Sequence, residues 1–414
     1  MAQIQPFKAI RPTRDKAHLV ASRPMASYKP SILAAKLEEN PYTYIHIIHP
    51  EYFEDETNKT EPNSQERFLK VKNKFEDFFS NGVLQQDDEA HIYIYQQTKD
   101  NHVFRGIIAG ASVDDYRQNK IKKHEATITS REEMFANYLN VVGINAEPVL
   151  LCHPKNQEID DLIEEIVQER PENEFTTTDQ VLHELWLVPV NKIETFQLAF
   201  DKIPSIYIAD GHHRSASSAK LNEILEKKHV NSPNKNHDFF LAYFIDESRL
   251  KIHPFNRICK SLNGWQKEDF LKEIEKNFTV HQLPEARQIQ VLHTIHMYVY
   301  EQWYELTAKE HLFNHTAAVD NIDAEILTKY ILTPLLNIKD LKTDDSIDFV
   351  SGTLGDAILE EKVNSAKYKV AFSLYPVTVN QLKSVADENG IMPPKSTFIE
   401  PKLRSGLTIY KIEK

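Results

Sequence analysis

The stretch IYIADGHHRSASSA, residues 206–219, passes from a strand-like pattern to a run of small residues across a single glycine. Ile206–Ala209 is apolar and β-branched, which favours a strand, and a helix is expected to follow through Leu221–Lys227. Gly211 permits the sharp turn between the two elements. A strand that runs through a glycine turn into a helix directs backbone N–H groups and the helix dipole at one point. The stretch therefore predicts an anion-binding unit in an α/β protein.

The segment Asp210–Arg214 (DGHHR) carries side chains suited to chemistry on a phosphate group. Arg214 can bind phosphate through two parallel hydrogen bonds. Asp210 can act as a general base toward a hydroxyl group or as an oxygen ligand of Mg²⁺. His212 or His213 can stabilise transferred charge, although adjacent histidines cannot easily bind one ion, which disfavours a zinc site. The alternative is a capped turn in which the histidines are packing residues.

A second candidate segment is Lys122–Glu125 (KKHE), which precedes a predicted helix. Lys123 and its neighbour place positive charge beside His124 and Glu125. This combination suits an anionic substrate with an acid–base group close by. A solvated charge cluster explains the pattern equally well.

A third candidate is the basic, hydroxyl-rich stretch that follows Pro393-Pro394 near residue 400. Lys395, Ser396 and Thr397, with Lys402 and Arg404, resemble a phosphate clamp supplied by a distant part of the chain. The run Thr176–Asp179 can also bind phosphate, but capping of a turn is the favoured interpretation. No GxxxxGK[ST], GxGxxG, HExxH or GxSxG motif occurs in the chain.

Length and composition predict the overall organisation. A chain of 414 residues is expected to form two or three domains, and 41% hydrophobic with 27% charged residues indicates a globular protein. Strand and helix patterns alternate, which predicts a mixed α/β (α+β) fold. We place an α/β lobe at 1–235 and a second at 236–414, with Asn231–His237 as the boundary segment.

Charge and apolar patterning exclude several classes of function. The 49 basic and 61 acidic residues give a net charge of −12, which argues against nucleic-acid binding. No apolar run approaches the roughly 20 residues of a membrane span, and the N-terminus has no apolar signal core. Two cysteines, Cys152 and Cys259, in apolar surroundings predict buried thiols in a reducing cytoplasm. The oligomeric state is left open.

Four local patterns give specific expectations for secondary structure. Arg67–Phe79 has the spacing of an amphipathic helix, and Tyr42–His49 has the alternation of a strand. Ser130–Glu133 matches a capping box before a helix that ends at Gly143. Met297–Trp303 is predicted to be one strand.

At these motifs the chain resembles the bacterial and archaeal domain of unknown function 1015 family over almost its full length. The matched blocks are Arg105-Gly106 through Asp114-Asp115-Tyr116, Ile121–Glu125 with Thr127, Asn145–Pro148, Ile208–Arg214, His253–Arg257, and Met392–Thr397 with Pro401-Lys402 and Gly406-Leu407. One block departs from the family pattern. The family usually carries Pro-Tyr-Asp near its N-terminus, whereas this chain has Pro24-Met25-Ala26, which leaves any role of that aspartate unfilled or reassigned.

The DGHHR turn is also similar to the turn of the ParB and sulfiredoxin superfamily, in which a strand–turn–helix core holds nucleotide phosphates. Free-serine kinases of this type carry a closely similar Asp-Gly-His turn. The resemblance implies a small-molecule phosphotransferase that uses ATP or ADP with Mg²⁺ and acts on serine or phosphoserine. Gly211, Arg214 and Ser215 would cradle phosphate, and Lys123, Lys395 and Lys402 would neutralise charge. The alternatives are a nucleotide-binding regulatory protein without turnover, or a metal-dependent hydrolase organised by His212, His213 and Glu125.

Overall fold

The structure, a computed structural model, describes residues 2–228, 235–313 and 315–412. Two compact units are present. The first comprises Met1–Lys122, Thr127–Leu250 and Pro401–Lys414, and the second comprises Lys123–Ala126 and Lys251–Glu400. Each combines strands with helices, so the fold is mixed α/β as predicted. None of the helices in the described residues has the length and apolar composition required to cross a bilayer.

The regular elements are numbered in chain order. The strands are β1 (Ile4–Gln5), β2 (Ile10–Pro12), β3 (Leu84–Gln86), β4 (Tyr93–Lys99), β5 (His102–Ser112), β6 (Ile121–Lys122), β7 (Ile144–Asn145), β8 (Val149–His153), β9 (Asn173–Thr176), β10 (Leu182–Leu187), β11 (Ile206–Asp210), β12 (Phe239–Asp246), β13 (Lys251–Cys259), β14 (Phe278–Leu283), β15 (Thr294–Val299), β16 (Gln302–Ala308), β17 (Ile347–Ser351), β18 (Val370–Leu374), β19 (Thr397–Glu400) and β20 (Tyr410–Lys411). The helices are α1 (Ala17–Val20), α2 (Pro30–Glu39), α3 (Ile45–Ile48), α4 (Gln65–Ser80), α5 (Val113–Arg117), α6 (Thr129–Val142), α7 (Gln157–Ile166), α8 (Val190–Asp201), α9 (His212–Lys228), α10 (Lys267–Ile274), α11 (Asp323–Leu327), α12 (Ala357–Asn364) and α13 (Val379–Asp387).

The first unit contains, within the described residues, a nine-stranded sheet with the order β6-β11-β8-β12-β5-β4-β10-β9, and β1 pairs with β5. Strand β5 is central because it pairs along most of its length with both β4 and β12. Its residues from Gly106 to Ser112 are buried, and so is nearly all of β12. Burial of both strands forms much of the core. The strand that leads into the DGHHR turn, β11, lies between β6 and β8.

Helices α4, α6 and α9 build one side of the first unit. Helix α4 buries Phe68, Val71, Phe75 and Phe78 at the spacing expected of an amphipathic helix, which confirms that prediction. Helix α9 packs against α6, and its buried Ala216 and Ala219 belong to the core on the sheet.

The second unit contains, among the residues described, a seven-stranded sheet with the order β14-β16-β15-β18-β13-β17. The first half of β13 pairs with β19 and the second half pairs with β17 and β18, all antiparallel. Helix α12 packs on one face of this sheet and buries Leu359.

Three local predictions were wrong. Within Tyr42–His49, residues Ile45–Ile48 form helix α3 and no strand is present, because the pattern of a short buried apolar run does not distinguish a helix from a strand. Helix α6 begins at Thr129, and its N-cap residue Ile128 provides no side-chain hydrogen bond, so no capping box forms at Ser130. The stretch Met297–Trp303 crosses a hairpin turn at Tyr300 and Glu301, whose φ angles are 52° and 58°.

The division into units differs from the boundary at 235/236 drawn from the sequence. Strand β12 pairs with β5 and β8 in the first sheet, so the first unit extends to Leu250. The chain then returns to the first unit at Pro401. Residues 231–234 of the expected boundary segment lie outside the described residues. Cys152 and Cys259 are buried, as predicted.

Candidate functional site

The DGHHR segment forms the strand–turn–helix predicted from the sequence. Strand β11 ends at Asp210, and helix α9 begins at His212. Gly211 between them has φ +106°, and a Cβ atom at this position would lie 3.2 Å from the guanidinium carbon of Arg214. The backbone angle therefore favours glycine here, and a larger residue would also press on the guanidinium of Arg214.

Asp210 is held between two cations of the first unit. Its Oδ2 atom accepts a hydrogen bond from Lys402 Nζ at 3.0 Å, and its Oδ1 atom lies 3.9 Å from a terminal nitrogen of Arg214. Burial by itself would raise the pKa of Asp210, but the positive charges of Lys402 and Arg214 outweigh it and lower the pKa below its ordinary value. Because 41% of the Asp210 side chain is exposed, the carboxylate remains accessible from solvent.

Arg214 bridges the turn and the segment before β8. Its guanidinium donates to the carbonyl oxygen of Pro148 at 2.6 Å, and 31% of its side chain is exposed. Glu147, adjacent to Pro148, accepts a hydrogen bond from Ser405 Oγ at 3.0 Å. These contacts surround a small cavity within the first unit. Its lining includes Pro24, Glu147, Pro148, Asp210, Arg214 and Lys402.

The remaining residues of the turn are less accessible. His212 is buried, and His213 is half-buried at the start of α9. Ser215 is fully buried and its hydroxyl donates to the Gly211 carbonyl oxygen at 3.4 Å, while its backbone N–H donates to the same oxygen at 3.1 Å. The predicted phosphate-binding hydroxyl of Ser215 is thus directed at the helix backbone.

Arg404 differs from its neighbour Lys402 in its surroundings. Its guanidinium donates to both carboxylate oxygens of Asp179 at 2.9 Å and to Thr177 Oγ1 and His183 Nε2 at 3.2 Å. Burial alone would raise the pKa of Asp179, but the hydrogen bond from Thr177 and the charge of Arg404 lower it to about 2. The polar run Thr176–Asp179 therefore holds Arg404.

The other predicted site residues belong to the second unit. Lys123, His124 and Glu125 lie in its short N-terminal segment, where the carbonyl oxygen of His124 accepts a hydrogen bond from the Met392 N–H at 2.9 Å. This bond brings the KKHE segment beside the stretch that contains the predicted clamp. Glu125 and His212 are assigned to different units.

The predicted clamp residues of the second unit have separate contacts. Lys395 Nζ lies 5.2 Å from the centre of the Phe255 ring. Ser396 is buried and its hydroxyl donates to the Pro393 carbonyl oxygen at 2.7 Å. Thr397 begins β19 and pairs with Pro254. Within the first unit, Lys402 contacts Asp210 of the DGHHR turn, whereas Arg404 contacts Asp179.

Glu147 and Pro24 line the cavity but were not among the residues predicted for the site. Each had a sequence signal. Glu147 belongs to the matched block Asn145–Pro148, and Pro24 belongs to the block in which Ala26 replaces the usual aspartate. The departure at Ala26 therefore falls in a segment that borders the candidate site.

A larger cavity of about 420 Å³ lies beside this site in the first unit. Arg214 and Glu147 line both cavities. The walls of the larger one are mainly apolar side chains from α4 and α6, with Met25 and Tyr44. An apolar chamber therefore adjoins a cluster of charged groups.

The chain is a mixed α/β protein in which a strand–turn–helix segment borders a small cavity lined by charged side chains. The family described as protein of unknown function (DUF1015) has a model that matches residues 4–325, and the chain belongs to this family. No curated protein sequence matches it.

Several solved structures are distantly similar to the chain. SbnI with a C-terminal truncation from Staphylococcus aureus is 11% identical, with a TM-score of 0.39 over 73% of this chain and 87% of the other. Free serine kinase in complex with AMP is 13% identical, with a TM-score of 0.35 over 74% and 91%. A conserved hypothetical protein from Pyrococcus furiosus is 12% identical, with a TM-score of 0.32 over 75% and 96%.

Proposed function

We propose that the DGHHR turn binds the phosphates of a nucleotide, and that the protein transfers a phosphoryl group to a small molecule. The observation that carries this proposal is the placement of Arg214 and Lys402 around Asp210 at the start of α9. Arg214 and Lys402 balance the carboxylates of Asp210 and Glu147, so the N–H groups of the helix start and a Mg²⁺ ion held by the carboxylates would supply the net attraction for a phosphate.

The ion pairs of Asp210 are weak enough for a phosphate to compete with them. Asp210, Arg214 and Lys402 are each about one-third exposed or more, and exposed ion pairs contribute about 1 kcal/mol or less. A phosphate offers several oxygens to Arg214, whose planar guanidinium can bind two of them at once. Gly211 supplies the positive φ angle that turns β11 into α9 and brings the Arg214 guanidinium against the turn.

Asp210 is better suited to hold Mg²⁺ than to act as a general base. Its lowered pKa keeps it ionised, but an efficient base has a pKa near the working pH. Asp210 and Glu147 line the same cavity and supply the carboxylate oxygens that Mg²⁺ prefers. Bound there, the ion would neutralise charge on the transferred phosphoryl group.

The adjacent apolar chamber is suited to the nucleoside. Its volume of about 420 Å³ lies within the range of small-molecule sites, and Arg214 connects it to the phosphate position. This supports ATP or ADP as the donor. Serine is the first acceptor to test, because the turn resembles that of free-serine kinases.

A second candidate function is nucleotide binding without turnover. Ala26 stands where the family usually has an aspartate, and Pro24, two residues earlier, borders the proposed phosphate position. Loss of a carboxylate from this segment favours a regulatory binding site over an enzyme.

The test is incubation of the protein with ATP or ADP, Mg²⁺ and L-serine, followed by detection of phosphoserine by ³¹P NMR. Nucleotide binding is measured in parallel by calorimetry. We expect Arg214→Ala and Lys402→Ala to weaken nucleotide binding on the order of tenfold or more, as expected for loss of a charged hydrogen-bond donor. Lys220→Ala is the matched control, since it removes a cation of α9 that does not line the cavity.

The outcomes distinguish the two functions. Phosphoserine formation that depends on Arg214 supports the transferase. Saturable binding without any product, abolished by Arg214→Ala, supports the regulatory protein. Nucleotide phosphates located away from residues 211–215 would contradict both.

A further inference from the structure

The apolar chamber of the first unit contains a polar patch to which the proposed function assigns no role. Tyr44, Tyr138 and Asn145 line this chamber of about 420 Å³ and, unlike its apolar walls, carry hydrogen-bond donors. Tyr44 is 1% exposed and Asn145 is 7% exposed, so both side chains are enclosed by the fold. The patch is therefore part of the interior of the chamber and not of the outer surface.

The donors of this patch are not used by the protein itself. The side-chain oxygen of Asn145 accepts from the Glu147 N–H at 3.3 Å, but its Nδ2 group has no hydrogen-bond partner among the described residues. The hydroxyl groups of Tyr44 and Tyr138 have none there either. Buried polar groups of native proteins nearly always have a partner, in the protein, in water or in a ligand. Three such donors on one chamber point to a ligand that accepts hydrogen bonds.

The backbone fixes Tyr44 beside the proposed phosphate position. The N–H of Gly406 donates to the carbonyl oxygen of Ala146 at 3.2 Å. Gly406 also packs against the ring of Tyr44, since a Cβ atom there would lie 2.5 Å from the ring atom Cδ2. Tyr44 is therefore held against the segment 145–147, and the last residue of this segment lines both cavities.

Burial keeps the two tyrosines in the protonated form that donates a hydrogen bond. It raises the pKa of Tyr44 and the pKa of Tyr138 above their ordinary value. Tyr138 and the negative charge of Glu147 raise the pKa of Tyr44 further, and Glu147 does the same for Tyr138. Because the charge of Glu147 acts on both hydroxyl groups, both lie near this carboxylate.

The position of the patch matches the sugar of a nucleotide. In the proposed function the phosphates lie at Arg214 and the nucleoside occupies the chamber, so the sugar lies where the two cavities meet. Arg214 and Glu147 line both cavities and mark this junction. Sugar hydroxyl groups can accept hydrogen bonds from phenol and amide groups and donate one in return to a carboxylate.

We propose that Tyr44, Tyr138 and Asn145 bind the ribose hydroxyl groups, so that the protein selects ribonucleotides over deoxyribonucleotides. This role depends on the proposed nucleotide site and adds the class of nucleotide to it. A site built to hydrogen-bond a hydroxyl group discriminates against an analogue without it, because the buried polar groups of the site are then left unpaired.

The test is calorimetric titration of the full chain, in the presence of Mg²⁺, with ADP, 2′-deoxy-ADP and 3′-deoxy-ADP. We expect ADP to bind on the order of tenfold more tightly than at least one of the two analogues. Tyr44→Phe or Tyr138→Phe should weaken ADP binding to a similar extent and leave the affinity for that analogue unchanged. The reason is that the hydroxyl missing from the analogue and the donor missing from the variant belong to the same hydrogen bond.

Tyr42→Phe is the matched control. Tyr42 lies two positions before Tyr44 and lines neither cavity, so this variant should keep the full preference for ADP. Tyr44→Phe retains the ring that contacts Gly406, and thermal unfolding verifies that each variant is folded.

Three results would overturn the assignment of the ribose while leaving the nucleotide site intact. One is equal binding of ADP and both analogues. Another is a preference for ADP that persists in both Tyr44→Phe and Tyr138→Phe. The third is a loss of affinity in these variants that is equal for ADP and both analogues, which would indicate a structural role. A protein that binds none of the three nucleotides would contradict the proposed function and the ribose assignment together.

Discussion

Two arginines of the first unit, Arg214 and Arg404, line the same small cavity but differ in their partners. Arg404 is 4% exposed and contacts both oxygens of Asp179, while Arg214 is 31% exposed and lies 3.9 Å from Asp210. The charge of Arg404 is therefore neutralised inside the fold, whereas that of Arg214 remains accessible to a ligand. A cation that lines a cavity is available to a ligand only if its charge is not already neutralised by strong contacts inside the fold.

The largest effect expected from this difference is on stability. Arg404→Ala leaves Asp179 and His183 without their buried partner and should lower the free energy of unfolding by about 3 kcal/mol. Arg214→Ala should change it by about 1 kcal/mol or less, because exposed ion pairs contribute little. Urea unfolding of both variants measures the difference. Equal losses would mean that the two arginines do not differ as described.

The next effect is a dependence of stability on pH through His183. Burial, with the charge of Arg404, lowers the pKa of this histidine from its ordinary value of 6.5 to about 3. Between these values the unfolded chain binds more protons than the folded one, so stability decreases as the pH falls below about 6.5. The expected loss by about pH 5 is roughly 2 kcal/mol.

Urea midpoints measured across this pH range test the role of His183. The variant His183→Gln should show a flatter dependence than the unmodified protein, because it lacks the group that titrates. Parallel curves for the two proteins would assign the pH dependence to other residues.

An effect on stability of similar size, together with a loss of nucleotide affinity, is expected at the turn. Gly211→Ala places a side chain at φ +106° and should cost about 1–3 kcal/mol in backbone strain. It also displaces Arg214, so nucleotide affinity should fall. Gly143→Ala at the end of α6 is the control, since it also has positive φ but a Cβ atom there lies 3.7 Å from its nearest neighbour. Affinity that is reduced equally in both variants would argue against a local role for Gly211.

The smallest stability effect is expected for Arg214→Lys. This variant keeps the charge but loses the planar guanidinium, so stability should change by a few tenths of a kcal/mol while phosphate binding weakens severalfold. The same replacement at Arg404 should cost about 1 kcal/mol or more, because two different nitrogens of Arg404 contact Asp179 and His183, and a single ammonium group cannot reproduce both. Calorimetry and urea unfolding of the two variants compare the sites directly.

The sequence predicted the strand–turn–helix at Asp210–Arg214 because every signal for it is local. A β-branched strand, one glycine and a run of small residues occur in order within 206–219. The hairpin at Tyr300 and Glu301 was missed for a related reason: both residues adopt positive φ without the glycine or asparagine that usually marks such a turn.

The composition of the site was harder to predict because it depends on contacts between distant residues. Lys402 and Arg404 are two positions apart and equally basic, yet one contacts Asp210 and the other contacts Asp179. Nothing near residue 404 indicates that a carboxylate 225 residues earlier neutralises it. Glu147 was recognisable as part of a matched block, but its place in the cavity follows from the pairing of strands.

The order of the chain has a consequence for biosynthesis. Lys402 belongs to the first unit, yet 150 residues of the second unit, from Lys251 to Glu400, are translated before it. At about 5–20 residues per second, the ribosome needs roughly 8–30 s to cross that interval. A nascent chain can therefore contain most of the first unit while Asp210 still lacks Lys402 and Asp179 still lacks Arg404. The site can be completed only after the second unit has been synthesised.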